Sequence, residues 1–413
     1  MKRDSNCSRR QFLRRSSTLA GAAGFASGGA IAGEAKPAGE MKFRRFGRTN
    51  LMLSEIGLGC ATGLKSQTLG TFLFDRYREQ LPQIVDRLFE RGGNFVATSQ
   101  SYHDTEEILG KALKGRRKQA VIFTACSAKS KKVTDIIACC EKSLEHFQTD
   151  WIDCYFAHGG STDEFGEAAQ KLKQQGKIRF AGQSNHVPAN HKALVESDRL
   201  DFVFQPYNYM NLAKWTEVVD RPGAEDLFAL CKQKDVGVLV MKPMTGHFIP
   251  NWAKETSEPK VAQLMEELKQ LGTQNLYQAF LMWVLKNPNV TATACGMTTP
   301  HEVVENCSAV TAKFTAVHGR LLELYADAAD RDYCRMCETC HPSCPQGIAV
   351  ADILRYRMYF KNYGRREDAR GLYADMPQDR RVEACTACGQ CEQACPNRLS
   401  VVSKLREAHG LLA

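Results

Sequence analysis

Residues 84–98 read Ile84-Val85-Asp86-Arg87-Leu88-Phe89-Glu90-Arg91-Gly92-Gly93-Asn94-Phe95-Val96-Ala97-Thr98. The apolar residues of the first half recur at helical spacing, two glycines end that pattern, and a short apolar run of strand length follows. The stretch therefore predicts a helix, a turn and a buried strand. Such a unit is typical of α/β proteins, in which helices cover a parallel sheet.

Seven further apolar runs of strand length alternate with helical patterns over residues 41–325. Eight strands, each followed by a helix, predict a (β/α)8 TIM barrel, whose sites form at the carboxyl ends of the strands. A doubly wound sheet is the alternative, but no G-x-G-x-x-G motif opens a helix after a strand. The predicted strands are Ser54–Gly59, Phe95–Thr98, Ala120–Thr124, Ile152–Ala157, Ile178–Gly182, Phe202–Gln205, Val236–Met241 and Thr291–Cys295.

After residue 325 the sequence changes to two cysteine runs with the same spacing. They are Cys334-x2-Cys337-x2-Cys340-x3-Cys344-Pro345 and Cys385-x2-Cys388-x2-Cys391-x3-Cys395-Pro396. This spacing is typical of bacterial ferredoxins with two 4Fe–4S clusters, in which the fourth cysteine of each run binds the other cluster. Structural zinc and disulfides are the alternatives, but neither requires eight cysteines in so regular a pattern.

We therefore expect residues 326–413 to form a small, mostly helical, 4Fe–4S dicluster ferredoxin-type domain that transfers electrons, with its long helices over Val350–Tyr363 and Val401–Leu412. The two predicted ligand sets are Cys334, Cys337, Cys340 and Cys395, and Cys385, Cys388, Cys391 and Cys344. Of the other cysteines, Cys139 and Cys140 lie on an apolar helical face and are predicted to be core residues.

The amino terminus has the features of a twin-arginine export signal. Ser8-Arg9-Arg10-Gln11-Phe12-Leu13 precedes an apolar stretch of small residues that ends near Ala32, a suitable cleavage region. The stretch is too short and glycine-rich to span a bilayer well. The twin-arginine route carries folded proteins, which suits clusters inserted before export. We expect a signal peptide over residues 1–32, a linker over 33–40, and a periplasmic or otherwise exported protein.

Charge gives little support for a polyanion partner. Residues 1–32 contain six Lys or Arg and one Asp, so their removal would lower the formal net charge from +9 to +4. No nucleic-acid module and no integral membrane segment is expected in the mature chain. The expected partners are a redox protein or a small-molecule substrate.

The segment from about residue 41 to residue 315 strongly resembles the aldo/keto reductase family. The matching motifs are Lys42-Phe43-Arg44-Arg45-Phe46-Gly47, Gly57-Leu58-Gly59, Asn94-Phe95, Glu106-Glu107-Ile108-Leu109-Gly110-Lys111-Ala112-Leu113, Asp150-Trp151-Ile152-Asp153, Gly182-Gln183-Ser184-Asn185 and Gln205-Pro206-Tyr207-Asn208. The arrangement of leader, barrel and cluster pair is similar to exported iron–sulfur members of that family.

The resemblance implies carbonyl reduction by a nicotinamide hydride, with a catalytic tyrosine, histidine, aspartate and lysine. Tyr102 and His158 occupy the tyrosine and histidine positions, whereas Ala97 and Ala125 replace the aspartate and the lysine. A phenol near pKa 10 needs a neighbouring cation to exchange protons near neutral pH. We therefore expect Tyr102 to titrate nearly normally, unless Lys129 reaches back to it from a loop.

The resemblance also implies a nicotinamide-binding site that is only half present. The residues at matching positions are Ser184, Asn185 and Gln205 at the carboxamide and Glu305 and Asn306 at the adenine end. Ser184 and Asn185 are equally well explained as residues that finish a strand. Glu302 stands where relatives bind the 2′-phosphate, and Met241 replaces the stacking aromatic, so NADP is disfavoured.

Two more thiols are expected near the same site. Cys60 and Cys126 follow strand ends that face it. We interpret them as ordinary lining residues, because a reactive thiol requires exposure and a lowered pKa.

Three functions are consistent with these patterns. The first is an exported iron–sulfur oxidoreductase that passes electrons between two clusters and a substrate at the barrel mouth. The second is a nicotinamide-dependent carbonyl reductase that works despite its incomplete catalytic set. The third is a non-catalytic electron carrier or scaffold with a degenerate barrel.

Overall fold

The computed structural model describes residues 41–63, 71–127, 132–210, 212–214, 217–218, 221–244, 266–267, 269–270, 276–332, 334, 338–362, 366–396 and 398–413. The predicted signal peptide (1–32) and linker (33–40) lie outside these residues, as do Lys129 and Cys337.

Eight parallel strands close into a barrel. Each barrel strand pairs with the barrel strand that comes next in the sequence, and the last pairs with the first. They are β3 (Ile56–Gly59), β4 (Phe95–Ser99), β5 (Val121–Cys126), β6 (Ile152–His158), β7 (Ile178–Ser184), β8 (Phe202–Pro206), β11 (Gly237–Met241) and β12 (Ala292–Cys295). The (β/α)8 prediction is confirmed, and each strand lies within two residues of its predicted bounds. Ser54, predicted to begin the first strand, instead ends a separate hairpin.

That hairpin lies before the barrel and pairs β1 (Phe43–Arg45) with β2 (Met52–Ser54) in antiparallel register. Phe46, directly after β1, is fully buried and contacts the rings of Phe123 and Phe202 at centroid distances of 5.6 and 5.5 Å. A second short hairpin, β9 (Leu212–Lys214) and β10 (Glu217–Val218), follows β8.

Helices pack around the barrel and continue into the carboxyl-terminal region. Their bounds are α1 (Thr71–Glu90), α2 (Thr105–Ala112), α3 (Val133–Phe147), α4 (Asp163–Gln174), α5 (Ala189–Glu196), α6 (Arg221–Gln233), α7 (Leu276–Leu285), α8 (Pro300–Ser308), α9 (Ala316–Asp332), α10 (Val350–Asn362), α11 (Arg366–Ala374), α12 (Gln390–Gln393) and α13 (Val401–Leu412). The predicted domain boundary at 325–326 falls inside α9. Among the described residues, no helix combines the length and the apolar character needed to cross a bilayer.

The barrel has two apolar layers, as expected for strands covered by helices. An inner cluster contains Phe95, Phe123 and Phe202, and a larger outer cluster lies between the strands and α1–α4. Cys139 and Cys140 are buried on α3 as predicted, with 7% and 0% of their surface exposed. Each phenylalanine so buried contributes about 1.5–3 kcal/mol to the stability of the fold.

The carboxyl-terminal region has its own apolar core, formed mainly by α10, α11 and α13. Its two long predicted helices, Val350–Tyr363 and Val401–Leu412, are confirmed by α10 and α13, although Tyr363 lies outside the described residues. Arg357 on α10 is almost fully buried and pairs with Glu407 on α13 at 2.6 Å. The pair fixes the two helices to each other because a buried guanidinium is costly without a carboxylate partner.

Candidate functional site

The two alanines that replace the family's aspartate and lysine lie in the apolar interior of the barrel. Ala97 on β4 and Ala125 on β5 are 4% and 0% exposed, and both belong to the inner phenylalanine cluster. In the register of these two parallel strands, Ala97 pairs with Phe123, and Ala125 pairs with Ser99. At these two positions the chain therefore provides neither the cation nor the carboxylate of the usual catalytic set.

Tyr102 lies in the turn after β4, where its backbone N–H donates to the carbonyl of Ser99 at 2.9 Å. Burial raises the pKa of Tyr102 to about 12, and the neighbouring Cys60 thiol adds to the effect. The expectation of a nearly normal titration is thus wrong. Burial disfavours the charged phenolate, so Tyr102 keeps its proton at neutral pH.

Cys60 is buried beside Tyr77 and Thr98, behind the catalytic tyrosine position. Burial raises the pKa of Cys60 to about 12, so its thiol stays protonated at neutral pH. This supports its interpretation as a lining residue, since reactive thiols need access and a lowered pKa.

His158 ends β6, and its side chain is exposed at the carboxyl end of the barrel. In the register of the sheet it pairs with Ser184, the last residue of β7. The structure thus brings together the predicted histidine and one predicted cofactor residue at the same rim. Histidine commonly acts as a general acid or base in enzymes, which suits the role that the resemblance implies for His158.

Asn185 is buried, and its amide group is occupied by local contacts. The Nδ2 atom donates to the carbonyl of Gly159 at 2.7 Å, and Oδ1 accepts from Val187 N at 2.9 Å and from Asn190 Nδ2 at 3.2 Å. These bonds join the loops after β6 and β7. They support the alternative in which this residue finishes the strand structurally.

Gln205 on β8 retains an unused hydrogen-bonding atom. Its Nε2 donates to the carbonyl of His186 at 3.1 Å. Its Oε1 is buried without a hydrogen bond to any described residue, although the ring of His191 lies nearby. Because unpaired buried oxygens are rare, this atom would suit an amide donor such as a nicotinamide carboxamide. This part of the nicotinamide site therefore fits the cofactor.

The predicted adenine end lies on α8, and there the fit is poorer. Asn306 is buried, and Glu305 lies 3.5 Å from His301 on the same helix. Glu302 occupies the first turn, where its carboxylate accepts from the backbone N–H and hydroxyl of Thr298. A carboxylate fixed at this helix start repels a phosphate that would otherwise be attracted to it.

The sequence did not point to a cation at the same rim. Lys242 follows β11 directly, and its Nζ lies 2.9 Å from Nε2 of His186 in the loop after β7. Lys242 has a left-handed backbone, with a φ of 56°, and its carbonyl accepts from Asn208. Its position after the predicted strand was a usable signal, whereas its pairing with His186 depends on two loops.

In the carboxyl-terminal region, one cavity is lined by Cys344 from the first run together with Cys385, Cys388 and Cys391 from the second. These four are the ligand set that exchange of the fourth cysteine predicts for the second cluster. Val350, Val402 and Leu405 form an apolar wall. The residues fit a 4Fe–4S cluster, which requires four thiolates and a shielded surround.

A 4Fe–4S cluster and a single metal ion need different arrangements of thiols. Ligands of one tetrahedral zinc at 2.3 Å would stand about 3.8 Å apart. In a 4Fe–4S cluster each thiolate binds a different iron, so the sulfurs stand around a wider space. Within the part of the chain that the structure describes, no three Cys, His, Asp or Glu side chains are grouped to hold one ion.

The two runs share a backbone conformation at a constant offset of 51 residues. Glu338 and Gly389, each following the second cysteine of its run, have φ angles of 59° and 77°. The backbone N–H groups of Cys344 and Cys395 have matching acceptors, since they donate to the carbonyls of His341 and Glu392 at 3.2 Å in both cases. The helix after each run begins at the same point, Val350 in one and Val401 in the other.

The first ligand set is described only in part, because Cys337 lies outside the described residues. Cys334, Cys340 and Cys395 all pack against the same apolar core as the second set. The shared backbone pattern of the two runs extends the fit to this set, but the ligation of either cluster stays a prediction.

Comparison with known proteins agrees with both parts of the chain. Residues 68–321 match the aldo/keto reductase family, and residues 333–399 match the 4Fe-4S dicluster domain. The first match covers more than half of the chain. The chain belongs to the aldo/keto reductase family.

Similar members come from several organisms. The NADH-specific methylglyoxal reductase of Escherichia coli is 25% identical over 342 residues, which cover 70% of this chain and all of that protein. The L-galactose dehydrogenase of Arabidopsis thaliana is 28% identical over 66% of this chain and 89% of that protein.

Solved structures show the same barrel. The holo form of an aldo-keto reductase from Bacillus halodurans superposes with a TM-score of 0.54 at 25% identity, over 70% of this chain and 98% of that one. An aldo/keto reductase from Klebsiella pneumoniae in complex with NADP and acetate has a TM-score of 0.55 at 23% identity, over 69% and 96%. At that identity the second likeness shows the fold alone.

A buried histidine supports the loops of this family member's barrel mouth. His191 on α5 is fully buried, with Nε2 3.4 Å from the carbonyl of Asn185 and Nδ1 3.3 Å from Nε2 of Gln183. These partners favour the neutral ring that donates from Nε2. Burial lowers the pKa of His191 to about 4, and the bond to Asn185 only partly opposes it.

We predict that His191 makes the protein less stable in mild acid. Since its pKa is lower in the folded state, stability is complete above pH 6.5 and is lost as pH falls toward 4, by up to about 3 kcal/mol. Denaturant unfolding of the wild type and of His191→Gln at pH 7 and pH 4.5 measures this. The variant should lose less stability between the two values, whereas the exposed His301→Gln control should behave as the wild type. Equal losses in all three would contradict the assignment.

Proposed function

We propose that this chain is an exported iron–sulfur oxidoreductase that passes electrons between two 4Fe–4S clusters and a small-molecule substrate at the barrel mouth. The cavity that joins Cys344 to Cys385, Cys388 and Cys391 carries the proposal. Because its ligands come from both runs, it accounts for the presence of two runs in one chain.

The barrel supports an electron-transfer role more than the family's hydride route. Ala97 and Ala125 replace the charged residues, and among the described residues the causes acting on Tyr102 all raise its pKa. A phenol that ionises near pH 12 donates a hydrogen bond at neutral pH but does not readily release its proton. Tyr102 would thus orient a substrate oxygen.

Proton transfer would fall to groups at the rim. His158 is exposed at the end of β6, where a histidine would serve as the general acid or base. The Lys242–His186 pair places a cation at the loops after β7 and β11, where it would attract an anionic group of a substrate. A bound 4Fe–4S cluster supplies one-electron chemistry to such a site.

A nicotinamide-dependent carbonyl reductase is the second candidate, and one observation favours it. The unpaired Oε1 of Gln205 is suited to a carboxamide donor. Against it stand Glu302 at the start of α8 and the partly exposed Met241, which cannot stack as an aromatic ring does. We therefore place this function below electron transfer.

Cluster content gives the most direct test of the proposal. Protein purified without oxygen should contain about eight irons and eight sulfides per chain and give an EPR signal when reduced. Zinc in place of iron would overturn the proposal.

Exchange of the fourth ligand can be tested with paired variants of the same protein. If Cys344 and Cys385 bind one cluster, the double variant Cys344→Ser/Cys385→Ser should keep about four irons. Cys344→Ser/Cys340→Ser should then lose both clusters, since Cys340 belongs to the other predicted ligand set. Without exchange the two results would be reversed, since Cys344 would belong to the first run's cluster. Cys295→Ser, at a buried thiol of the barrel, is the matched control and should keep about eight irons.

Nicotinamide binding separates the two candidate functions. Because Glu302 repels the 2′-phosphate, millimolar NADPH should cause no saturable change in the protein's fluorescence. Saturable binding that Gln205→Leu abolishes would instead favour the carbonyl reductase. Glu305→Gln tests the adenine end in the same assay.

Export can be tested through the paired arginines of the leader. Replacing Arg9 and Arg10 by lysine should keep the protein in the cytoplasm of a bacterial host that has the twin-arginine pathway. Arg14→Lys/Arg15→Lys keeps the same charge and should export normally. Immunoblots of periplasmic and cytoplasmic fractions measure the outcome, and equal distribution of both variants would contradict the export route.

A further inference from the structure

Two thiols from different elements meet beside the barrel mouth. Cys126 ends β5, one residue after Ala125, and Cys139 lies on the next helix, α3. The thiols are in hydrogen-bond contact. Neither belongs to the cluster runs, and the proposed electron route does not use them.

The Cys139 sulfur is held in place by contacts from two strand ends. The N–H of Ser127, after β5, donates to it at 3.3 Å, and it donates to Oε1 of Gln100, after β4, at 3.0 Å. Nε2 of Gln100 also donates to the carbonyl of Cys139 at 3.2 Å. These contacts fix the sulfur against its neighbour, which disulfide chemistry requires because its geometry is narrow.

The two thiols differ in exposure. Cys126 is partly exposed, whereas Cys139 is 7% exposed. Contact with Cys126 and burial both raise the pKa of Cys139, so this thiol keeps its proton at neutral pH. An oxidant from solution therefore meets Cys126 first.

We propose that Cys126, which the sequence suggested was an ordinary lining residue, forms with Cys139 a redox-active pair that closes reversibly to a disulfide. The Cys126 thiolate attacks one sulfur of a small disulfide oxidant, and the other sulfur leaves as a thiol after taking up a proton. Cys139 then loses its proton and attacks the Cys126 sulfur, which expels the second thiol. The pair gives up two electrons and two protons, and the oxidant is reduced to two thiols.

Closure of the pair affects the turn that carries the substrate-orienting phenol. A disulfide removes the S–H that Cys139 donates to Gln100, and this leaves Oε1 of Gln100 without that partner. Gln100 is two residues before Tyr102. The redox state of the pair is thus transmitted to the position of Tyr102.

The pair also matches the proposed clusters in electron count. A dithiol yields two electrons, and two clusters accept one each. This link rests on the proposed function, whereas the dithiol itself does not.

Peptide mapping tests the pair in the full-length, cluster-loaded protein. The protein is equilibrated without oxygen in glutathione buffers of increasing oxidised fraction, alkylated and digested with trypsin. Cys126 then lies in peptide 119–129, and Cys139 and Cys140 lie in peptide 133–142. We expect these peptides to become cross-linked as the oxidised fraction rises and to separate again with excess dithiothreitol. Fragmentation between residues 139 and 140 should place the link on Cys139.

Variants provide the controls. Cys140→Ala should keep the cross-link, whereas Cys126→Ala and Cys139→Ala should abolish it. The proposal would be overturned if the two peptides stay separate and alkylated at every buffer ratio, or if the link is on Cys140. Both outcomes are measured on the wild-type protein, so they hold even if a variant fails to fold. Iron and sulfide analysis of the same samples separates the two proposals, since a cross-link in protein without clusters would contradict only the electron-transfer function.

Discussion

Mutual packing of phenylalanine rings inside the barrel is the constraint on which the site depends. Phe123 contacts Phe46, Phe95 and Phe202, each at a centroid distance of 5.5 or 5.6 Å. Edge-to-face contacts of this kind are favourable only when the rings interdigitate closely. The strand positions beside them are therefore small and uncharged, as at Ala97. An ion pair at the family's usual positions would have to be buried among these rings, at a large desolvation cost.

Polar groups consequently lie at the rim and in the second region of the chain. His158, the Lys242–His186 pair and the Cys126–Cys139 thiols all follow strand ends or lie on the helix beside one, where loops and water can solvate charge. The apolar interior serves as the support that fixes these strand ends. Under the proposed function, the family scaffold would keep the location of its site while its proton and electron chemistry changes.

The sequence predicted the architecture well because strand periodicity and cysteine spacing are local signals. All eight strands and both long carboxyl-terminal helices lie where those patterns indicated. The predicted titration of Tyr102 was wrong because its pKa depends on burial beside Cys60, which only the folded chain reveals. The pairing of Lys242 with His186 could not be predicted for the same reason, since each residue lies on a loop whose path no local pattern determines.

The constant offset of 51 residues between the two cysteine runs has a consequence for biosynthesis. If each cluster takes its fourth ligand from the other run, neither binding site is complete before the ribosome has reached the second run. The set that contains Cys344 then needs Cys391, and the set that contains Cys334 and Cys340 needs Cys395. A chain released before Cys391 would lack both sites together, although its whole first run had been made.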